Sequence, residues 1–458
     1  MKNILFIITD DQRYDALGAA GNTDIITPNL DRLAAMGTMF TQAHIPSGSN
    51  GAICMPSRAM LNTGRTLFSI DGMGETIPEA NTTLGEAFAR AGYDTYGTGK
   101  WHNGPPSFSR AFKGGDNIFF GGMWDHWNVP VNRYDPTGEY DNVINFTANF
   151  YYDRGVQKVH CDKFNPGVHS TELLTDTALR YLDNRPCDNP FLLYLSYLAP
   201  HDPRTMPQRF KDMYNPEEIM LPANYMASHP FTFGVEDIRD EVLIAQPRDE
   251  KEVRIHLAEY YAMVTHLDYE IGRLMDKLES DGLMDDTIIV MTADNGLAVG
   301  SHGLMGKQNH YDHSVRVPLI FAGGGIPAGQ VVDSYVYLLD IFPTLCELCN
   351  VPVPESVEGK SFTRMFGNTE FVTRETLYFA YAHQIRSVKD GRYKLVEYRN
   401  HANRTQLFDL AEDPCEINDL ADCPNHTETV AQLRQLLRKK REEWNDFTHH
   451  TSQRYWGG

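Results

Sequence analysis

Ile4-Leu5-Phe6-Ile7-Ile8-Thr9-Asp10-Asp11 is the stretch on which the reading of the fold turns. It is a run of apolar and β-branched residues that stops abruptly at two acids. It is short for a helix and shows no polar alternation. That pattern predicts a strand buried on both faces, as in a parallel sheet covered by helices. The same kind of run recurs at Tyr93–Thr98, Phe191–Tyr197, Thr287–Thr292 and Val317–Ala322. Helical spacing separates them at Asn29–Met36, Thr83–Ala91 and His256–Ser280, each closed by a glycine within two residues. The alternation predicts an α/β fold with a large, mostly parallel sheet flanked by helices. After the Pro-rich stretch 351–358 the character changes. Leu377–Ala380, Ile385–Lys389 and Arg392–Tyr398 read as short strands, with Asp390-Gly391 as a hairpin turn, and Thr427–Glu443 reads as a charged helix. The expected division is therefore a catalytic α/β domain over residues 1–355 and a small C-terminal α+β subdomain over 356–458. Residues 203–250, rich in Pro, Asp and Glu, read as a surface excursion near the mouth of a site.

Composition narrows the function. The chain of 458 residues carries 41 Lys and Arg against 61 Asp and Glu, a net charge of −20. That argues against the basic surface that nucleic-acid binding needs. The opening apolar run is too short for a secretory signal, and no later run is long enough to span a membrane. The expectation is a protein without membrane or nucleic-acid partners, located in the cytoplasm. Seven scattered cysteines, an odd number, suggest reduced thiols rather than a disulfide framework.

Polar residues gather just beyond the predicted strands. Asp10 and Asp11 follow the first. Lys100 and His102 follow the strand at 93–98, His201 the strand at 191–197, and Asp294 and Asn295 the strand at 287–292. Ligands in open α/β sheets bind beyond the carboxyl ends of the strands, so one edge collects acids, an amide, a lysine and two histidines. Asp10, Asp11, Asp294 and Asn295 offer only oxygen donors, which suit Ca²⁺, with Mg²⁺ as runner-up, rather than Zn²⁺.

Cys54-Met55-Pro56-Ser57-Arg58, followed by Leu61-Asn62-Thr63-Gly64-Arg65, resembles the signature of the formylglycine-dependent sulfatases of the alkaline phosphatase superfamily. The resemblance continues through Thr27–Ala34, Gly99-Lys100-Trp101-His102, Ala199-Pro200-His201, Thr292–Gly296, Gly306-Lys307, Tyr311–Pro318 and Leu407–Pro414. It implies an alkaline phosphatase-like fold and the hydrolysis of sulfate monoesters to alcohol and inorganic sulfate. It also implies that a maturating enzyme converts Cys54 to an aldehyde, formylglycine, which hydrates to a diol. By the same resemblance, Asp10, Asp11, Asp294, Asn295 and the modified Cys54 hold Ca²⁺, and Arg58 steadies the formylglycine. Lys100 and Lys307 bind sulfate oxygens. His201, with Lys307, protonates the leaving alcohol, and His102 takes the proton that lets sulfate depart. The alternative is a phosphonate monoester or phosphodiester hydrolase of the same superfamily. The substrate can be a small-molecule or oligosaccharide sulfate ester, aryl and steroid sulfates included. Asn103 departs from the family pattern, in which an apolar residue is common.

Weaker signals complete the reading. His126 and Trp127, in the aromatic stretch 121–128, and His302 and His310, flanking Lys307, are candidate substrate contacts. Cys346 and Cys349 form a C-x-x-C in an apolar helix-like stretch and read as core.

Overall fold

The computed structural model describes residues 1–70, 73–149, 153–185 and 189–457. Its main sheet has eight strands in the order 330–332, 37–40, 319–322, 287–293, 3–9, 191–196, 94–100 and 114–119. The opening strand, Asn3–Thr9, lies at its centre and pairs in parallel with Phe191–Ser196 and Thr287–Ala293. Its residues alternate between two cores. Ile4, Phe6 and Ile8 enter one face, and Leu5 and Ile7 the other. Burial on both faces is why the run shows no polar alternation.

Leu319–Ala322 runs antiparallel to both of its neighbours. The connection from Ala293 to Leu319 holds one helix of four residues, Asp312–Val315, and so lacks a crossover helix able to return the chain in parallel. That connection carries site residues instead.

The helices form where the spacing predicts them, with their caps explaining the bounds. Leu84–Arg90 starts on Thr83, whose side chain and that of Glu86 close a capping box. The long helix spans Glu250–Ser280 and begins earlier than the spacing suggests. Asp249 caps it by accepting from Lys251 N and Glu252 N, and Glu250 and Glu252 favour its first turn. No helix among the described residues is long and apolar enough to cross a membrane. The six cysteines among the described residues are free, and Cys187 lies outside them.

The C-terminal sheet is antiparallel through Leu377–Tyr381, Ile385–Lys389, Tyr393–Tyr398 and Arg404–Asp409. Its outer edge is filled by Ser47–Gly48, which pairs in parallel with Ala380–Tyr381 and leads directly to Cys54. The small sheet therefore braces the approach to the cysteine. A buried charge cluster ties it further to the rest of the chain. Lys394 Nζ lies 2.6 Å from both Asp312 Oδ1 and Glu416 Oε1, and Lys389 Nζ lies 2.8 Å from Asp312 Oδ2.

Candidate active site

Strand register assembles the site. Ile8 is level with both Ser196 and Thr292, and Ser196 is level with Gly99. Asp10 and Asp294 therefore leave adjacent strands, and Lys100 the strand beyond Phe191–Ser196, at nearly the same height. Gly99 makes this possible. Its φ is +89°, and a Cβ there would stand 1.8 Å from Ser196 O. Asp11 and His102 also hold left-handed backbone, at φ 63° and 67°. Strained residues of this kind persist only where the surroundings fix them. For Asp11 the fixing group is Tyr260 of the long helix. Its hydroxyl donates to Asp11 O at 2.7 Å and accepts from Arg13 N at 2.8 Å.

Cys54 opens the helix Cys54–Thr63 and is 3% exposed. The helix is locked to the neighbouring strand ends by the rest of its motif. Ser57 Oγ donates to Asp294 O at 2.6 Å, and Arg58 Nε to Asp294 Oδ2 at 2.8 Å. Arg58 also donates to Lys100 O and Ser196 Oγ. Asn103 adds a further anchor, donating from Nδ2 to Met55 O and Gly74 O at 2.9 and 2.6 Å. Its departure from the family pattern thus stiffens the start of the cysteine helix.

Around Cys54 the charges are dense and buried. Its Sγ lies 3.4 Å from His102 Nδ1 and 3.6 Å from Lys100 Nζ. Lys100 pairs with Asp10, and Lys307 Nζ lies 2.5 Å from Asp11 Oδ1. His201 Nε2 is 3.7 Å from Asp11 Oδ2. Burial pushes the Cys54 thiol up to about 11, although Lys100 and Lys307 oppose it. At neutral pH it is a thiol, a weak nucleophile and a poor ligand.

The two histidines differ in kind. Burial, Lys100 and Arg58 drive His102 well below the ordinary histidine value. Burial also acts to lower His201, yet Asp11, with Asp10 and Asp202, holds it above that value. His201 Nδ1 donates to Asp202 O at 2.8 Å and lies 3.2 Å from Asp202 Oδ1. Arg239 pairs in turn with Asp202 and with Asp240.

The donor set fits a hard divalent cation. Ligand atoms of Asp10, Cys54 and Asp294 lie within 4.8 Å of one another. Asp10 Oδ1 and Asn295 Oδ1 are buried acceptors with no hydrogen-bond partner, an arrangement that calls for a cation. Burial and the nearby Asp10 carboxylate push Asp294 up to about 6, a repulsion that a divalent ion relieves.

Cys54, His102, His201 and Lys307 line a cavity of about 230 Å³ whose rim includes Arg239, Asp240 and Gln308. It has room for a sulfate group and for part of the attached alcohol. A larger cavity of about 620 Å³, bordered by Asp333, Arg374 and Lys389, contains none of these groups.

A family model described as Sulfatase matches residues 2–351. The chain belongs to the sulfatase family. Residues 300–443 of this sulfatase also match the model described as N-sulphoglucosamine sulphohydrolase, C-terminal. An arylsulfatase of Clostridium perfringens is 28% identical, over 96% of this chain and 94% of its own. An N-acetylglucosamine-6-O-sulfatase of Bacteroides thetaiotaomicron is 25% identical, over 97% and 87%. In fold, the sulfatase is similar to a protein solved in complex with its substrate D-glucosamine-2-N,6-O-disulfate. Their TM-score is 0.77 at 24% identity, and the match covers 98% of this chain and 99% of that one. It is also similar to the phosphonate monoester hydrolase of Agrobacterium radiobacter, at TM-score 0.76 and 21% identity, covering 97% and 96%. The fold is thus alkaline phosphatase-like, and the enzyme is a sulfuric ester hydrolase.

The candidate substrate contacts lie elsewhere than expected. His126 is 1% exposed, and both ring nitrogens have protein partners, Ser170 Oγ at 2.7 Å and His201 O at 2.9 Å. It is a support for His201, not a substrate contact. Trp127 packs edge-on against His169 and does not line the cavity. His302 stacks on Tyr311 and meets Glu416 O at 2.9 Å, and His310 Nδ1 meets Ser387 Oγ at 2.8 Å. Both rings are buried at the junction with the small sheet. Cys346 and Cys349 belong to the core.

Sequence reasoning passed over Glu241. Its carboxylate accepts from Met305 N and Gly306 N at 2.9 and 2.7 Å and pairs with Arg248, fixing the loop that presents Lys307. Nothing in the weakly periodic segment 203–250 marks that residue.

Proposed function

We propose that the enzyme hydrolyses sulfate monoesters of carbohydrates through a formylglycine made from Cys54, with Ca²⁺ held by Asp10, Asp11, Asp294 and Asn295. The observation that carries the reading is that Cys54, His102, His201 and Lys307 line one small cavity beside the buried, unpartnered Asp10 Oδ1 and Asn295 Oδ1. When bound, the metal and the hydrated aldehyde supply, respectively, charge neutralisation and an oxygen nucleophile with a second hydroxyl in reserve.

The remaining work falls to this chain's own side chains. Lys307, in the cavity lining, and Lys100, 3.6 Å from Cys54 Sγ, neutralise sulfate oxygens. Arg58, held on Asp294, keeps position 54 in place. His201, whose protonated form Asp11 favours and Asp202 supports, donates from Nε2 to the departing alcohol oxygen. His102, neutral and 3.4 Å from the side chain of residue 54, accepts a proton there. The polar rim of Arg239, Asp240 and Gln308 favours a hydroxylated alcohol, and the name of the Bacteroides relative supports a sugar sulfate. The phosphonate hydrolase likeness is a matter of fold, so the test includes that chemistry.

The roles predict a split in kinetics. A nitrophenol leaves with little protonation, whereas a sugar alcohol needs much. His201→Ala is expected to lower kcat on a sugar sulfate by about 10²–10⁴-fold and to affect nitrophenyl sulfate far less. His102→Ala should slow both alike. Steady-state assays on both sulfates, with nitrophenyl phosphonate as a third substrate, check this. Equal loss on both sulfates in His201→Ala, with the aryl sulfate spared in His102→Ala, would reverse the assignment. Preferred turnover of the phosphonate would replace the sulfate reading.

A further inference from the structure

The helix Ser170–Asn184 lies against the long helix Glu250–Ser280, and Glu172, His266 and Glu270 meet between them. His266 and Glu270 are four residues apart on one helix and so share a face, while Glu172 stands in the first turn of the other. One ligand-capable atom from each lies within 4.8 Å of the other two. None of the three touches the catalytic cavity.

The histidine points to a ligand. His266 is 1% exposed, and its Nε2 is buried without a hydrogen-bond partner, 3.6 Å from Glu172 Oε1. Its ring is held in place by Phe210, stacked at 4.6 Å, and by His169 at 4.7 Å. A buried polar nitrogen whose neighbouring carboxylate stands 3.6 Å away, too far for a well-formed hydrogen bond, calls for an explanation. Glu270 is equally deep, with a side chain 2% exposed, and its Oε2 lies 2.6 Å from Arg273. Arg273 also pairs with Asp176, at 2.7 Å, so one guanidinium is shared between Glu270 and a further carboxylate. A divalent cation offsets the excess of carboxylates.

We propose that Glu172, His266 and Glu270 form a second metal site, for a borderline divalent cation of the zinc type. One imidazole nitrogen and two carboxylate oxygens are the donor set that such ions prefer, unlike the oxygen donors around Asp10. Glu172 is one-third exposed, which gives the ion a route in and leaves room for water as a further ligand. The site stands behind the catalytic histidine. His169 stacks on His126, and His126 holds His201 O. An ion there stiffens the wall on which His201 rests. The proposal does not depend on the reaction assigned above.

The test is equilibrium dialysis of the calcium-saturated enzyme against Zn²⁺ alone, with elemental analysis, and a parallel titration with Co²⁺ followed by visible absorption. The wild type is expected to take up one Zn²⁺ per chain without losing calcium, and Co²⁺ to give a d–d band that Zn²⁺ abolishes. His266→Ala should lose the ion, and Glu172→Gln should weaken it by at least about tenfold. Glu172→Gln alters a partly exposed side chain, so it decides the matter should His266→Ala fail to fold. Absence of zinc uptake beyond calcium, or uptake equal in wild type and Glu172→Gln, would overturn the proposal.

Discussion

Cys54→Ser is expected to reduce multiple turnover of sulfate esters by about 10⁴-fold or more while leaving substrate binding in place. The cavity proposed to receive sulfate is lined also by Lys307, His102, His201 and Arg239, which this change leaves in place. What it removes is the precursor of the aldehyde. A serine presents a single oxygen, so His102 has no second hydroxyl to deprotonate. The same logic covers the unmodified protein. With its thiol pushed up to about 11 by burial, Cys54 itself is a weak nucleophile at neutral pH. Enzyme produced without a maturating partner should therefore be nearly inert, although it folds identically. Sulfate release at saturating substrate, together with binding measured by calorimetry, checks both statements. Sustained turnover by Cys54→Ser would remove the formylglycine from the account.

The second large effect concerns the metal. Asp10→Ala is expected to lose bound calcium and to lower kcat/KM by about 10³-fold, and chelation of the wild type should do the same reversibly. Asp10 contributes the buried, unpartnered Oδ1 and lies within 4.8 Å of the Asp294 and Cys54 donors. Its carboxyl is well suited to the task. Burial acts to raise it, but Lys100, His201 and Arg58 outweigh burial and keep it ionised. The fold should survive chelation. Asp10, Asp11 and Asp294 each have a cation in contact, Lys100, Lys307 and Arg58 respectively. Elemental analysis and circular dichroism on the chelated protein test this pairing of lost activity with retained structure. Stoichiometric zinc in place of an alkaline-earth ion at this site would contradict the assignment.

Much of the candidate site is legible in the sequence as a grouping because its residues sit at strand ends. The runs ending at Thr9, Thr98, Tyr197 and Thr292 announce buried parallel strands, and polar residues that follow such runs share one edge. The elements that were not legible are those fixed by distant partners. Ser47–Gly48 is a strand only because Ala380 and Tyr381 lie beside it, and two residues carry no period. The direction of Leu319–Ala322 depends on what the preceding connection lacks rather than on its own composition. Gly37–Phe40 joins the sheet by pairing with Leu319–Ala322 and Gln330–Val332, neither close in sequence.

The supporting residues were hidden for a similar reason. Tyr260 lies on a long amphipathic helix whose pattern predicts burial, but not that its hydroxyl would fix the left-handed backbone of Asp11. Arg239 and Asp240 lie in the polar segment that reads as a surface excursion, and become part of the cavity lining only when that segment folds back over it, with Arg239 pairing with Asp202. His126 illustrates the converse. Its aromatic neighbourhood suggests a sugar contact, whereas the ring holds the backbone of His201.

The central claim is that Cys54 is the precursor of the catalytic aldehyde, and the mass of the peptide containing it tests this most directly. In active enzyme that peptide should be lighter than the cysteine form by the exchange of one sulfur and two hydrogens for one oxygen. The fraction so converted should track specific activity from one preparation to the next. A fully active preparation in which the peptide retains the mass of unmodified cysteine would contradict the account.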